Sequence, residues 1–393
     1  MILELQGNYF LKVEFGGTVI PIQPQMIREI SITQDLNTIL PTFRIAFQDA
    51  GGTLINLIPY DKDLNDVFIV IGKTLASNTL NAFKFKVLRR QGKDGVYEIA
   101  GHLDVPNLIN TTECRGWKDQ TVKKTLEDLA LKEMFVQSTE VGASLSKVKN
   151  IIQPAWTTAK LLNYLKTNLI GREGEKGYFS YIKNIASEQI FVFKSIEELY
   201  SGPIKYKFVV GEEGYVDLIP ILTYEIFDDS SLIANFGAKS QKYGYFDYAT
   251  GTPTYDAVTI EEVPGITEFF TINNDDTSNG DPQCTMGRSN SFTDDFKGVV
   301  GGGYTKRLST PLKMWATTWG QEGLAPGDLV QVVFSESMNK GNLFVYQHTG
   351  NWMIERVVHF FDTSFHTLML LTRGGIDSDF DSALTSVMKR IKR

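Results

Sequence analysis

Apolar and polar positions alternate in short runs through the first hundred residues, and turn residues separate the runs. Period-two alternation puts one face of a strand in a core and the other in water. The opening MILELQGNYFLKVEFGG reads as a first strand, with Tyr9 to Phe15 alternating before the Gly16-Gly17 turn, and Val19 to Ile22 follows. Ile27 to Thr33 (IREISIT) and Thr42 to Phe47 (TFRIAF) alternate in the same way. Val67 to Ile71 is continuously apolar, as in a strand covered on both faces. Phe83 to Leu88 (FKFKVL) puts Phe83, Phe85 and Val87 on one side and Lys84 and Lys86 on the other. Lys93-Asp94-Gly95 turns the chain back into Val96 to Gly101. Such a series predicts a small barrel or sandwich over residues 1–108.

The period then lengthens. Val122, Leu126, Leu129 and Ala130 fall at helical spacing within Asp119 to Lys132, with Asp119 as the expected N-cap. Leu161, Leu162, Leu165 and Leu169 mark a second helix over Thr157 to Ile170, which Gly171 would end. A hairpin from Tyr178 to Ile182 and Gln189 to Phe193, then a short helix over Ile196 to Tyr200, complete an α+β unit at 109–203.

Strand patterns resume with Tyr206 to Val210, Leu222 to Phe227, Thr317 to Trp319, Leu329 to Phe334, Trp352 to Phe360 and Thr367 to Thr372. They predict a second β-unit from 204–242 and 308–375, interrupted by a loop-rich insertion at 243–307. Phe380, Leu384, Val387 and Ile391 form one stripe of a C-terminal amphipathic helix over 376–393. Its acidic start and basic end suit the helix dipole. The expected fold class is mainly β with α+β insertions: two small antiparallel β-barrels plus an α+β domain. Two β-units around one α+β unit hint at an internal duplication.

Composition narrows the function classes. The 393 residues carry 39 Lys and Arg against 46 Asp and Glu, a net charge of −7, which suits no protein that coats nucleic acid. Two cysteines, Cys114 and Cys284, build neither a disulfide framework nor a thiolate metal site. They read as free thiols in a reducing compartment. No apolar run reaches the length of a membrane span, and the N-terminus lacks the basic region of a signal peptide.

Candidate chemistry is sparse. Gly72-Lys73 and Gly92-Lys93 lack the upstream glycine of a P-loop, and Gly301-Gly302-Gly303 reads as a loop without a preceding strand or following helix. His102, His348, His359 and His366 make no zinc motif, although His359 and His366 could approach across a hairpin. Asp275, Thr277, Asn279, Gly280 and Asp281 mimic the start of a calcium loop, but Met286 stands where a bidentate Glu is needed. Adjacent acids such as Asp228-Asp229, Glu261-Glu262 and Asp294-Asp295 read as solvated turns. The expectation is no enzyme, no catalytic residue, no cofactor and no metal.

The order of parts carries more. The stretch LAPGDLVQVVF, a loop, then GNWMIERVVHFFDTSFHTLMLLTR resembles the second barrel of the phage baseplate central hub family. These are tail-hub proteins related to the N-terminal part of type VI secretion spike proteins. PAWTTAKLLNYLKTNLIGREGEKGYFSYIKNIASEQIFVF and GVYEIAGHLDVPNLINTTECRGWKDQTVKKTLEDLA look like that family's central helices, hairpin and exit from the first barrel. The likeness spans Ile27 to Thr372; the stretch from Tyr243 to Arg307 has no matching part. It implies a homotrimer whose six barrels make a ring, adapting a hexameric tail tube to a trimeric central spike supplied by a separate chain. Baseplate wedge proteins and the tape measure protein would be further partners, with DNA only in transit. The place would be the virion tail, assembled in the host cytoplasm. An alternative is the hub of a non-contractile tail or a type VI-like device; a cell-wall hydrolase ranks lower. The hairpin holding Trp352 and His359, and the stripe Phe380, Leu384, Val387 and Ile391, are the candidate subunit interfaces.

Overall fold

The computed structural model describes residues 2–5, 9–19, 24–58, 66–72, 81–211, 218–228, 240–247, 251–259, 284–289, 302–303, 305–306, 310, 312–335, 348–362 and 364–374. The first β-unit comprises β1 (Ile2–Leu5), β2 (Tyr9–Phe15), β3 (Thr18–Val19), β4 (Ile27–Asp35), β5 (Thr42–Gln48), β6 (Asp66–Gly72), β7 (Asn81–Lys93) and β8 (Val96–Leu103). The expected opening strand is two strands, because β1 folds back antiparallel on β2. The turn between β7 and β8 puts Asp94 at φ 52° and Gly95 at φ 74°, the left-handed pair that a tight hairpin requires.

An α+β unit follows. It contains β9 (Thr112–Trp117), α1 (Val122–Lys132), β10 (Ser138–Val141), β11 (Ile151–Thr157), α2 (Thr158–Asn168), β12 (Phe179–Ile185), β13 (Glu188–Lys194) and α3 (Ile196–Tyr200). Two cap expectations need correction. Thr121, not Asp119, caps α1 by accepting from the Lys124 amide at 3.2 Å, while Asp119 sits at φ 56° in the preceding turn. Helix α2 ends at Asn168 with Leu169 extended, so Gly171 is no cap. A Cβ at Gly171 would run into Glu175 and the Tyr178 hydroxyl. Ser195 and Glu198 form a full capping box on α3.

The last part holds β14 (Ile204–Val210), β15 (Ile219–Asp228), β16 (Ser240–Asp247), β17 (Thr252–Thr259), β18 (Cys284–Ser289), β19 (Leu312–Trp319), β20 (Leu329–Phe334), β21 (Gly350–Phe361) and β22 (Phe365–Arg373). Strands β16 to β18 form a separate three-stranded sheet inside the stretch expected to be loop. Its Gly, Thr and Asn content masked the hairpin, whose turn uses Gly251 at φ 68°. The glycine run is also no free loop. Residues 302–303 and 305–306 are helical, and the Gly302 backbone lies against Gly177, where a Cβ would press on the Gly177 amide at 3.0 Å. The calcium-like loop, Lys73, Glu261-Glu262, Asp294-Asp295 and the whole stripe Phe380, Leu384, Val387 and Ile391 lie outside the described residues.

One long sheet runs through both β-units, in the order β1-β2-β6-β7-β8-β5-β4-β21-β20-β14-β15-β19-β22, with a further β21–β22 pairing. That pairing closes the second unit into a six-stranded barrel. The first unit is antiparallel throughout, and among the described residues no pairing joins β2 to β4. The barrel differs from the all-antiparallel expectation in one strand: β14 runs parallel to both β15 and β20.

The two units repeat each other. The first has the order β2-β6-β7-β8-β5-β4, the second β14-β20-β21-β22-β19-β15. Chain order is the same in both: a lead strand, a hairpin pair, then a three-stranded meander. The bulges coincide as well. The β7–β8 ladder slips at Leu88 and the β21–β22 ladder at Glu355; the β4–β5 ladder slips at Arg28 and the β15–β19 ladder at Leu222. Aligned on these bulges, the cross-strand row Arg44–Ala100–Arg89 matches Trp315–Leu370–Arg356. The separate sheet β16 to β18 lies between β15 and β19, where the first unit has only the turn between β4 and β5.

Candidate functional site at the seam of the two units

The site with the most polar and apolar machinery is where β4 meets β21. Arg356 to Phe361 pair antiparallel with Ile30 to Asp35. Asp35 is almost wholly buried and receives the Arg356 guanidinium at 2.5 Å, while its other oxygen accepts the Asn37 amide at 2.7 Å. The bulge residue Glu355 takes Lys313 at 2.9 Å and the Asn37 side chain at 3.1 Å. Burial of these groups strengthens each ionic hydrogen bond over its exposed equivalent.

The α+β unit locks under this seam. Its hairpin inserts Phe179 and Tyr181 against Leu36, Leu329 and Met353. The Tyr181 hydroxyl donates to the Pro326 carbonyl at 2.9 Å. Gly327 sits at φ 81° directly beneath that hydroxyl, where any Cβ would collide with it. On the first unit, the Gln34 side chain accepts the Asn184 amide at 2.9 Å, and Asn81 and Asn184 pair at 2.7 Å. Glu140, on β10, binds Lys183 at 2.6 Å and Lys194 at 2.7 Å. Burial works against the charged carboxylate, yet the two ammonium groups outweigh it and hold its pKa at about 2.

A cleft of about 250 Å³ opens beside the seam, lined by Leu36, Asn37, Phe179, Lys306, Thr310, Lys313 and Glu355. The Lys306 ammonium lies 4.3 Å from the centre of the Phe179 ring and donates to the Tyr178 carbonyl. Burial, reinforced by Lys166, lowers its pKa to about 7. A carbonyl and a ring face hold this cation in place, and they make a positioning contact between segments.

The candidate interface side chains on the hairpin are used internally. Trp352 is fully buried in the barrel core, its indole donating to the His348 carbonyl at 3.0 Å. His359 is also fully buried, beside Phe365, and burial lowers its pKa to about 4. Neither offers surface to a neighbour, which corrects the expectation for both. The bulge at Glu355 is the reason. It switches the inward parity from Trp352 and Ile354 to Val357, His359 and Phe361. His359 and His366 do share one hairpin, but His366 turns outward and stacks on Trp319 at 5.1 Å.

Asp362, Ser364 and His366 cluster at the tip of this hairpin. Ser364 Oγ lies 2.6 Å from His366 Nε2 and donates to Asp362 at 3.1 Å. A catalytic triad needs the acid on the far imidazole nitrogen, to hold the tautomer and balance the developing charge. Here the acid binds the serine, and among the described residues the buried His366 Nδ1 has no hydrogen-bond partner. The cluster ties a turn. Among the described residues, no group of three or more His, Cys, Asp or Glu gathers at metal-binding distance. Cys114 is an exposed free thiol. No described helix is long and apolar enough to cross a membrane.

Sequence reading missed Asp35, Glu355, Arg356 and Lys306. For Asp35, Glu355 and Arg356 the only signal is charge inside or at the end of an apolar strand, as in WMIERVV, where burial demands a partner; Lys306, in a glycine-rich polar stretch, carries none.

No family model matches the chain. No curated protein matches it either. Solved structures do. A tail protein from Neisseria meningitidis MC58 is 12% identical, with a TM-score of 0.56 over 94% of this chain and 98% of that one. The 43 kDa tail protein of prophage MuSo2 from Shewanella oneidensis is 12% identical, with a TM-score of 0.56 over 93% of this chain and 98% of that one. The chain therefore has the fold of phage and prophage tail proteins across nearly its whole length.

Proposed function

We propose that this chain is a structural hub of a phage tail baseplate: a homotrimeric ring that adapts a sixfold tube to a threefold spike. The observation that carries the reading is the register-level repeat of the two β-units. A chain that holds two copies of one unit becomes pseudo-sixfold when three chains close a ring. One side of such a ring can match a hexameric tube. The other side differs between copies and presents only threefold symmetry, which fits a trimeric spike. The fold shared with tail proteins over nearly the whole chain supports the same reading.

The polar chemistry agrees with a scaffold. Buried charges are paired across the seam, and in the Ser364 cluster the acid binds the serine, not the far nitrogen of His366. Tail tube, spike, wedge and tape measure proteins are the partners this role calls for, and DNA passes through the lumen. Three chains carry a formal charge of 3 × −7 = −21. A conduit must pass phosphates without holding them, and like charge does this. The reading places the protein in the virion tail after assembly in the host cytoplasm.

Light scattering on the purified chain, alone and mixed with its tube and spike partners, tests the reading. A mass three times the 44.1 kDa of one chain is expected. A monomer under every condition would refute it, and a strongly basic lumen would refute the conduit argument.

A further inference from the structure

The seam between β4 and β21 lies inside one chain. The repeat shows where the matching seam between chains belongs. In the alignment fixed by the bulges, β15 of the second unit stands where β4 stands in the first, and β7 stands where β21 stands in the second. Each unit would therefore offer its β4-like edge to the β21-like strand of the next.

Among the described residues, both required edges are open over the right positions. In β21, Leu329 to Val332 pair with residues up to Met353, and β4 takes over from Arg356 onward. In β7, β6 pairs only with Asn81 to Lys86, and among the described residues no strand takes that edge beyond Leu88. Leu88 is 68% exposed. In β15, β14 pairs only with Ile219 to Ile221, and among the described residues no strand takes that edge beyond Leu222. Strand edges with free amides and carbonyls recruit further strands.

The register carries over too. Within the chain, Val358 faces Thr33 and Phe360 faces Ser31. Their equivalents put Gln91 opposite Phe227 and Lys93 opposite Glu225, with Gly92 opposite Ile226 between them and Arg90 opposite Asp228 next to Gln91. Two of these four positions pair opposite charges, although nothing in the alignment selected for charge. Lys93 and Glu225 have no ion-pair partner of their own among the described residues. Their outward parity matches that of Phe360 and Ser31. Phe227 is 39% exposed, so its ring is available to cover the Gln91 stem.

We propose that β15 of one copy adds antiparallel to Arg90–Lys93 of β7 in a second copy, and that this head-to-tail contact closes the ring. Closure at three rests on the hub reading; the strand addition itself rests on the repeat.

The test is a cysteine pair in the full chain, with Cys114 and Cys284 replaced by serine. Gln91→Cys with Phe227→Cys should oxidise to covalent trimers that resist detergent without reductant. The out-of-register pair Gln91→Cys with Thr223→Cys should not. As an independent readout, Lys93→Glu should weaken self-association about tenfold, and adding Glu225→Lys should restore it. A particle of trimer mass that neither crosslinks at 91 and 227 nor responds to Lys93→Glu would overturn the strand addition and leave the hub reading intact. Crosslinked ladders longer than three chains would support the strand addition and overturn the closed ring. Persistent monomers would overturn both.

Discussion

The two β-units share strand order, bulges and register, yet their outward faces have opposite chemistry. On the first unit, Arg44 reaches Glu29 at 2.5 Å and Glu98 at 2.9 Å, and Lys84 binds Asp66 and Asp104 at 3.1 and 2.8 Å. The equivalents of Arg44, Glu98, Gln91, Lys93 and Gln48 in the second unit are Trp315, Leu368, Val358, Phe360 and Trp319. Trp319 is 50% exposed. In the proposed ring, the shared scaffold would fix how units join and the diverged faces would decide what each one meets. A charged lattice suits a face that stays in water, whereas an apolar, aromatic face suits one covered by a partner. The lead strands differ too: β2 is antiparallel to β6, while β14 is parallel to both neighbours.

The cores should break alike. Trp352→Ala in the barrel and Phe85→Ala in the first unit each remove a fully buried ring, at about 3–5 kcal/mol. Urea titration followed by far-UV circular dichroism should show matching losses. A first-unit variant that left stability unchanged would break the equivalence.

The seam should matter next. Arg356→Gln leaves Asp35 buried without its cation, a loss of about 1.5–3 kcal/mol on the scale of charged hydrogen bonds. Amide hydrogen exchange should then speed up in β4 and β21 before it does in either core. Uniform exchange across the chain would show that the seam is not a separate weak point.

Two pH effects sharpen the comparison further. Glu140 has its pKa lowered from 4.5 to about 2, so its contribution is complete above about 4.5 and disappears as pH falls through 2. Thermal melts of Glu140→Gln and the parent should converge toward pH 2. Lys306 runs the other way. With its pKa lowered from 10.5 to about 7, the unfolded chain binds the extra proton between those values, so its cost to the fold shrinks as pH rises through that window. Lys306→Met should therefore stabilise most at and below pH 7 and least near pH 10. A pH-independent gain would contradict the buried-cation account.

The smallest effect should come from the outer lattice. Glu98→Gln should cost less than about 1 kcal/mol, because exposed ion pairs are screened and conformationally mobile. A larger loss in the melting curve would mean that this face is covered in the assembly.

Much of the fold was legible in the sequence, because a half-buried strand writes its face into every second residue. TFRIAF, FKFKVL and LVQVVF mark β5, the start of β7 and β20, and Leu329–Phe334 matches to the residue. The ribbon of β9 and β11 was not legible, since TECRGW and IIQPAWT carry polar residues, Gly and Pro without alternation. Helix stripes were readable, but the cap was not, because Asp119 and Thr121 both qualify locally and only the turn geometry separates them. The candidate interface failed at Trp352 and His359 for a specific reason. Glu355 adds one residue to β21, and the two halves of the strand count inward positions differently. The seam itself joins residues more than 300 positions apart, Asp35 and Arg356, and no local pattern encodes such a pairing.

The most direct test of the central claim, that the duplicated units build a closed ring, is electron microscopy of the purified particle with class averages viewed down its axis. The account predicts a threefold ring in which six similar densities surround a hole, alternating between a smooth and a decorated outer face. Averages showing isolated single chains, or a closed ring with a number of densities other than six, would contradict it.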